Sequence, residues 1–214
     1  MKKAYISILL GIAVIVWGLT LFIRGVPLTI DYLTPFGTVA GTIGFIVFAF
    51  DQYFWRQRWL QGWLVKRPNL SGTWTVDLTS DWADPETKKA IKPIKCYVAV
   101  IQSYSSLQMH LMTPESDSWV IADRIQPSLK GEGFQIVGVY TNQPSSRLRG
   151  NGSEIHYGTM VLDTHGVSHY YPDILTGEYW TDRKTKGEMI LKSRRSQVFT
   201  RYEDAKRAKG KVPR

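Results

Sequence analysis

"GTWTVDL", residues 72–78, decides the architecture, because its larger apolar residues recur at every second position. Gly72, Trp74, Val76 and Leu78 alternate with Thr73, Thr75 and Asp77. A period of two sends one set to each face of a strand, one face buried and one wet. The same rhythm returns at 95–103, 106–113, 117–125, 133–141, 155–164, 175–183 and 187–193. Between these segments lies turn material such as "SDWADPETKK", "PESD", "LKGEG", "NQPSSRLRGNGSE" and "DRKTKG". Eight sequential strands with mostly short connections predict an all-β domain, an up-and-down antiparallel β-barrel that closes its own edges.

Such a barrel has room inside for side chains or for one small ligand. The opening "SGTW" resembles the first strand of lipocalins and fatty-acid-binding proteins, which implies a lipocalin-like outline with the tryptophan plugging one end.

Upstream the pattern is different. Ala4 to Ile23 is a run of twenty residues without a charge. At 1.5 Å per residue this is long enough for a hydrocarbon core of about 30 Å. "LTPFGTVAGTIGFIVFAF", residues 33–50, is also uncharged, and the two predict N-terminal transmembrane α-helices. The competing reading of the first run is a cleaved signal peptide. Its apolar core exceeds the usual ~7–15 residues and no small-x-small cleavage site follows, which favours a span.

Basic residues set the orientation. Lys2 and Lys3 precede the first run, and Arg56, Arg58, Lys66 and Arg67 follow the second, while "RGVPLTIDY" between them offers Arg24 against Asp31. Both termini are therefore expected in the cytoplasm. "DQYFWRQRWLQGWLVKR", residues 51–67, reads as an interfacial segment, with Tyr53, Trp55, Trp59 and Trp63 as an aromatic belt beside basic anchors. Gly37, Gly41 and Gly44 mark a face on which helices approach closely in lipid, or reflect only how common glycine is in such helices.

The chain thus divides into a membrane region at 1–67, a barrel at 68–193 and a basic tail at 194–214. The net charge of +9 is spread unevenly among them. The first carries seven basic residues against two acidic, the second twelve against fourteen, and the third eight against two. A slightly acidic barrel is a poor surface for DNA or RNA, which needs a basic patch on the fold itself. Charge beside apolar spans suits anionic lipid instead. The tail is expected to be partly disordered or a short helix, either solvated or lying on lipid.

Catalytic chemistry finds no foothold. His165 and His169 are four apart, but in a loop with glycine, proline and no third ligand, so no metal site is expected. No G-x-S-x-G elbow, P-loop or H-E-x-x-H occurs. Cys96 is the single cysteine and reads as a buried thiol. The expectation is a protein that is not an enzyme and needs no cofactor.

Binding chemistry is better represented. In "TGEYWTDRKTKG", residues 176–187, an extended chain places Tyr179, Thr181 and Arg183 on one face, a plate, a hydroxyl and a cation together. Arg147 and Tyr157 belong to the stretch expected beside it. If these faces point inward, Arg183 needs a carboxylate or an anionic ligand. The alternative is an Arg183 that stacks on Trp74 and caps the barrel end.

With these parts in order, the chain resembles the two-transmembrane, β-strand-rich effectors of bacterial CBASS anti-phage systems, the membrane effectors associated with CD-NTases of the SMODS group. The resemblance spans nearly the whole chain and rests on "NLSGTW", "IHYGTMVLD" and "LTGEYWTDRKTKGEMIL". It implies a cytosolic barrel that senses a cyclic dinucleotide made by a partner CD-NTase. It further implies helices that oligomerise on activation and breach the bacterial inner membrane in an abortive infection. The ligand contacts are expected from strand faces at Tyr179, Thr181, Arg183, Tyr157 and Arg147. The competing function is a membrane-tethered barrel that carries an apolar ligand such as a fatty acid.

Overall fold

The computed structural model describes residues 2–26, 30–83, 91–129, 131–146 and 154–208, with side chains described in the N-terminal part at 11, 13–26, 37 and from 39 onward. The chain forms two compact units, Met1–Gln57 and Arg58–Arg214.

The first unit holds helix α1 (Lys2–Ile23), helix α2 (Ile30–Gln52) and a short 3-10 turn at Phe54–Arg56. Both helices lie where the uncharged runs predict them. Among the described residues, however, no helix is long and apolar enough to cross a membrane, so the expectation of two spans is not supported by the structure. Large apolar side chains on these helices, Phe22, Ile23, Phe45 and Ile46 among them, are exposed.

The second unit is the expected barrel. Strands β1 (Gly72–Leu78), β2 (Ile94–Gln102), β3 (Leu107–Met112), β4 (Ser116–Pro127), β5 (Phe134–Pro144), β6 (His156–His165), β7 (Ile174–Thr181) and β8 (Lys186–Arg195) pair in sequence order. All neighbours are antiparallel, and β1 pairs with β8 to close the ring. The alternation read from "GTWTVDL" sends Trp74 and Val76 inward, fully buried, with Leu78 packed against the same core. Val98, Val100, Ile136, Leu162, Leu175 and Leu191 complete the filled half of the interior.

The ladder shifts register at the β1–β8 closure, between Thr73 and Thr75, and is irregular at two further places, both involving β4. A bulge between Val120 and Ala122 breaks the alternation of that strand, so that Val120 and Ile125, five residues apart, both pack on the core. The seam between β3 and β4 is short, since only His110–Met112 pair with Asp117–Trp119.

One end of the barrel is sealed by the segment leading into β1. The indole Nε1 of Trp74 donates to the Leu70 carbonyl at 2.9 Å. Gln102 answers the same segment twice, accepting from the Leu70 N–H at 2.8 Å and donating to the Pro68 carbonyl at 2.9 Å. Buried polar groups need such partners, and this amide has them. Arg194 stacks over Trp74, 5.4 Å from the ring centroid, and donates to the Asn69 carbonyl. The arginine that caps the barrel is therefore Arg194 and not Arg183.

The C-terminal segment is docked. Helix α3 (Tyr202–Ala208) and Phe199 pack on the outer face of β2 and β3, where Tyr97, Ala99, Met112 and Ala205 are buried together. Arg195 lies between the rings of Tyr97 and Phe199 and donates to the Ala205 carbonyl at 2.9 Å. A wholly solvated tail is thus corrected through residue 208. The reason is that Phe199, Tyr202 and Ala205 give an otherwise basic sequence one apolar side.

Candidate functional site

The end opposite Trp74 is not filled. A cavity of about 210 Å³ opens there, and its lower wall is made of inward-facing Val98, Met109, Met160 and Met189. Methionine side chains adapt to irregular shapes, so this floor is apolar and compliant. Tyr140 from β5 and Tyr179 from β7 form the side walls.

Each tyrosine sits beside a glycine on the next strand. Tyr140 pairs with Gly158, and Tyr179 pairs with Gly187. The missing side chains make room for the rings. The Tyr179 hydroxyl donates to the Thr79 carbonyl at 3.1 Å. Burial, with Tyr179 and Asp182 nearby, pushes the Tyr140 phenol well above its ordinary range. Burial also raises that of Tyr179, partly offset by a hydrogen bond with Ser80. Both phenols are accordingly neutral at physiological pH and act as flat plates with a hydroxyl.

The upper wall is polar. Asn142 on β5 faces Ser118 on β4, its directly paired neighbour. Asn142 Nδ2 donates to Ser118 Oγ at 2.8 Å and to Ser116 Oγ at 3.1 Å. Ser118 is 4% exposed. Across the mouth, Thr181 and Thr185 bring their hydroxyls to 2.7 Å of each other at the base of the β7–β8 turn.

The residues expected in the site divide cleanly. Tyr179 and Thr181 line the cavity, as their strand parity required, and Trp180 between them faces outward, 46% exposed. Tyr157 does not line it. Tyr157 is 55% exposed on the outer face of β6, because it is Gly158 and Met160 that turn inward. Arg183 is also displaced from the expected face, since β7 ends at Thr181 and residue 183 lies exposed in the turn, with its N–H donating to Thr181 Oγ1 at 3.2 Å. Asp182 ties that turn to β6 by donating its N–H to the Tyr157 carbonyl at 3.0 Å. Arg147 lies outside the described residues. In α2, Gly37 and Gly41 are exposed and Gly44 is half-buried; among the described residues no atom lies within 4 Å of a β-carbon built on Gly37 or Gly41.

Several lining residues are not legible from strand periodicity. The expected strand 133–141 stops one residue short of Asn142, although Ile136, Gly138, Tyr140 and Asn142 keep one phase throughout. Ser116 and Ser118 precede the bulge in β4, and a single inward phase carried along that strand fails there. Among the described residues that line the cavity there is no lysine or arginine.

The chain matches none of the curated proteins. It does match, over residues 65–193, the family described as Cap15, cyclic dinucleotide receptor domain. That span runs from buried Val65 to Ser193 and takes in every strand except the last two residues of β8. An eight-stranded barrel, plugged at the Trp74 end and hollow at the other, therefore belongs to the Cap15 family of cyclic dinucleotide receptor domains.

Proposed function

We propose that the barrel binds a cyclic dinucleotide at its open end, and that the chain acts as a non-enzymatic membrane effector of a CBASS anti-phage system. The observation that carries this reading is the cavity walled by Tyr140 and Tyr179 in a chain of this family. Two phenol plates suit flat heterocycles. The phosphates belong at the mouth, where Arg183 and Lys184 lie in the turn that follows β7. Each charge-assisted contact there contributes about 1.5–3 kcal/mol.

The membrane half of the proposal rests on the sequence, in which α1 contains the uncharged run 4–23 and α2 the uncharged stretch 33–50. Exposed apolar side chains along both helices agree with it. So do Trp59 and Trp63, which stand 68% and 66% exposed while Leu60 and Val65 between and beyond them are buried. Indoles held outward beside Arg58 and Lys66 suit the headgroup region of a bilayer. Trp55, however, is fully buried and does not belong to that belt. In this proposal both termini are cytoplasmic, the bacterial inner membrane is the target, and ligand binding promotes oligomerisation of the helices and membrane disruption.

The test is binding by the full chain in detergent, measured by calorimetry against a panel of cyclic dinucleotides and a panel of fatty acids. Saturable binding of at least one cyclic dinucleotide, lost on Tyr179→Ala, is the expected result. Binding of fatty acids alone would overturn the receptor reading in favour of an apolar carrier.

A further inference from the structure

The cavity holds about 210 Å³. Pockets that enclose a whole drug-sized ligand measure about 300–1,000 Å³. A cyclic dinucleotide therefore cannot enter entire, and part of it must remain at the mouth. Chemistry decides which part. Among the described lining residues there is no lysine or arginine, Glu115 adds a carboxylate, and the floor is Val98 and three methionines. An unpaired phosphate in such surroundings is strongly disfavoured. A flat heterocycle between two phenol rings is not.

An inserted base turns one polar edge to the upper wall, and that edge needs partners. The upper wall offers a rigid set. Asn142 and Ser118 are paired across β4 and β5, and the amide is held from two sides by Ser118 and Ser116. Ser116 Oγ lies in turn 3.1 Å from Thr113 Oγ1. With both amide hydrogens given to serine oxygens, Asn142 Oδ1 is left as an acceptor, and the Ser118 hydroxyl retains its own hydrogen to donate. A donor beside an acceptor is what a base edge requires for bidentate reading.

We propose that one nucleobase enters the barrel while the phosphates stay at the mouth, and that Asn142 with Ser118 selects which base is accepted. The inference rests on the receptor reading above and adds the residues that set its specificity. Tyr140 and Tyr179 hold any base by its faces. Asn142 and Ser118 distinguish one base from another by its edge.

The experiment uses the full chain in detergent with cyclic di-AMP, cyclic di-GMP, cyclic di-UMP and cyclic UMP–AMP. Asn142→Leu and Ser118→Ala are compared with the wild type, and the thermal midpoint without ligand controls for folding. The near-isosteric Asn142→Asp serves where Asn142→Leu fails to fold. The expected result is that the spread of affinities narrows, with the preferred ligand weakened about tenfold or more and the others changed little. Arg183→Ala, in contrast, weakens every ligand by a similar factor. Variants of Asn142 and Ser118 that keep the wild-type order and spread overturn this inference and leave the receptor reading intact. A wild-type chain that binds no member of the panel removes the receptor reading, and the base-selection inference falls with it.

Discussion

Tyr140 lies across Gly158, its partner in the β5–β6 ladder, so closely that a β-carbon at 158 would stand 2.3 Å from the ring Cζ and 2.4 Å from the phenol oxygen. The same carbon would also come within 2.8 Å of the Trp180 carbonyl, which is backbone and cannot turn aside. Gly158→Ala should therefore push Tyr140 from its seat and cost about 1–3 kcal/mol. Thermal unfolding of the full chain reads the cost, and ligand binding should fall with it. An alanine variant with unchanged midpoint and affinity would show that the ring is free to move.

Arg194 and Arg183 should part company when each is replaced by alanine. Arg194→Ala removes the stack on Trp74 and the hydrogen bond to the Asn69 carbonyl, and should lower stability by about 1–3 kcal/mol with affinity unchanged. Arg183→Ala falls in an exposed turn outside the core and should weaken ligand binding by about tenfold with a smaller loss of stability than Arg194→Ala. Measuring midpoint and affinity on both variants checks the assignment, and a reversed result would return the cap to Arg183.

Removal of the chain after Gln197 should destabilise the barrel by about 2–4 kcal/mol, because Phe199, Tyr202 and Ala205 leave Tyr97, Ala99 and Met112 open to water. The cavity is on the inside of the barrel wall and the tail packs on its outer face, so affinity should survive. Chemical denaturation paired with calorimetry tests both halves of the forecast.

Cys96 should be inert in the folded protein. Burial, with Asp77 nearby, pushes its thiol from an ordinary 9.0 up to about 12, so the thiolate that alkylating reagents need is absent near neutrality. The folded state keeps a proton that the unfolded chain gives up near 9.0, so stability is undiminished below that pH and declines as pH rises from 9 toward 12. Tyr140 and Tyr179, also raised by burial, act in the same direction. Midpoints recorded at about pH 8 and about pH 11 should differ accordingly. Iodoacetamide labelling of the native chain at about pH 8 would contradict it.

Gly37→Leu and Gly41→Leu should reduce membrane disruption in cells and spare ligand binding. Both glycines are exposed, with nothing among the described residues within 4 Å of a β-carbon built on either, and small residues at this spacing suit the close approach of another helix. Leakage assays in vesicles, run beside calorimetry, give the comparison. Full leakage by both variants would remove these glycines from the assembly surface.

The sequence by itself determined the barrel, because a two-residue period in eight segments leaves few ways to bury one face and satisfy every backbone group. It also determined that Tyr179 and Thr181 share a face and that Trp180 opposes them, since parity within one unbroken strand is local. It could not say which face of β6 turns inward. Tyr157 and Gly158 both fit the alternation of "IHYGTM", and the choice falls to Gly158 because the Tyr140 ring from β5 occupies the space a side chain would need. Nor could it fix the end of β7, where the Thr181–Thr185 hydrogen bond starts the turn two residues before Arg183. The capping arginine was decided by the β1–β8 closure, which brings Arg194 over a tryptophan one hundred and twenty residues earlier. Ser118 and Asn142 became neighbours only through the β4–β5 register, because a cross-strand pair is a property of two segments and of the bulge that aligns them.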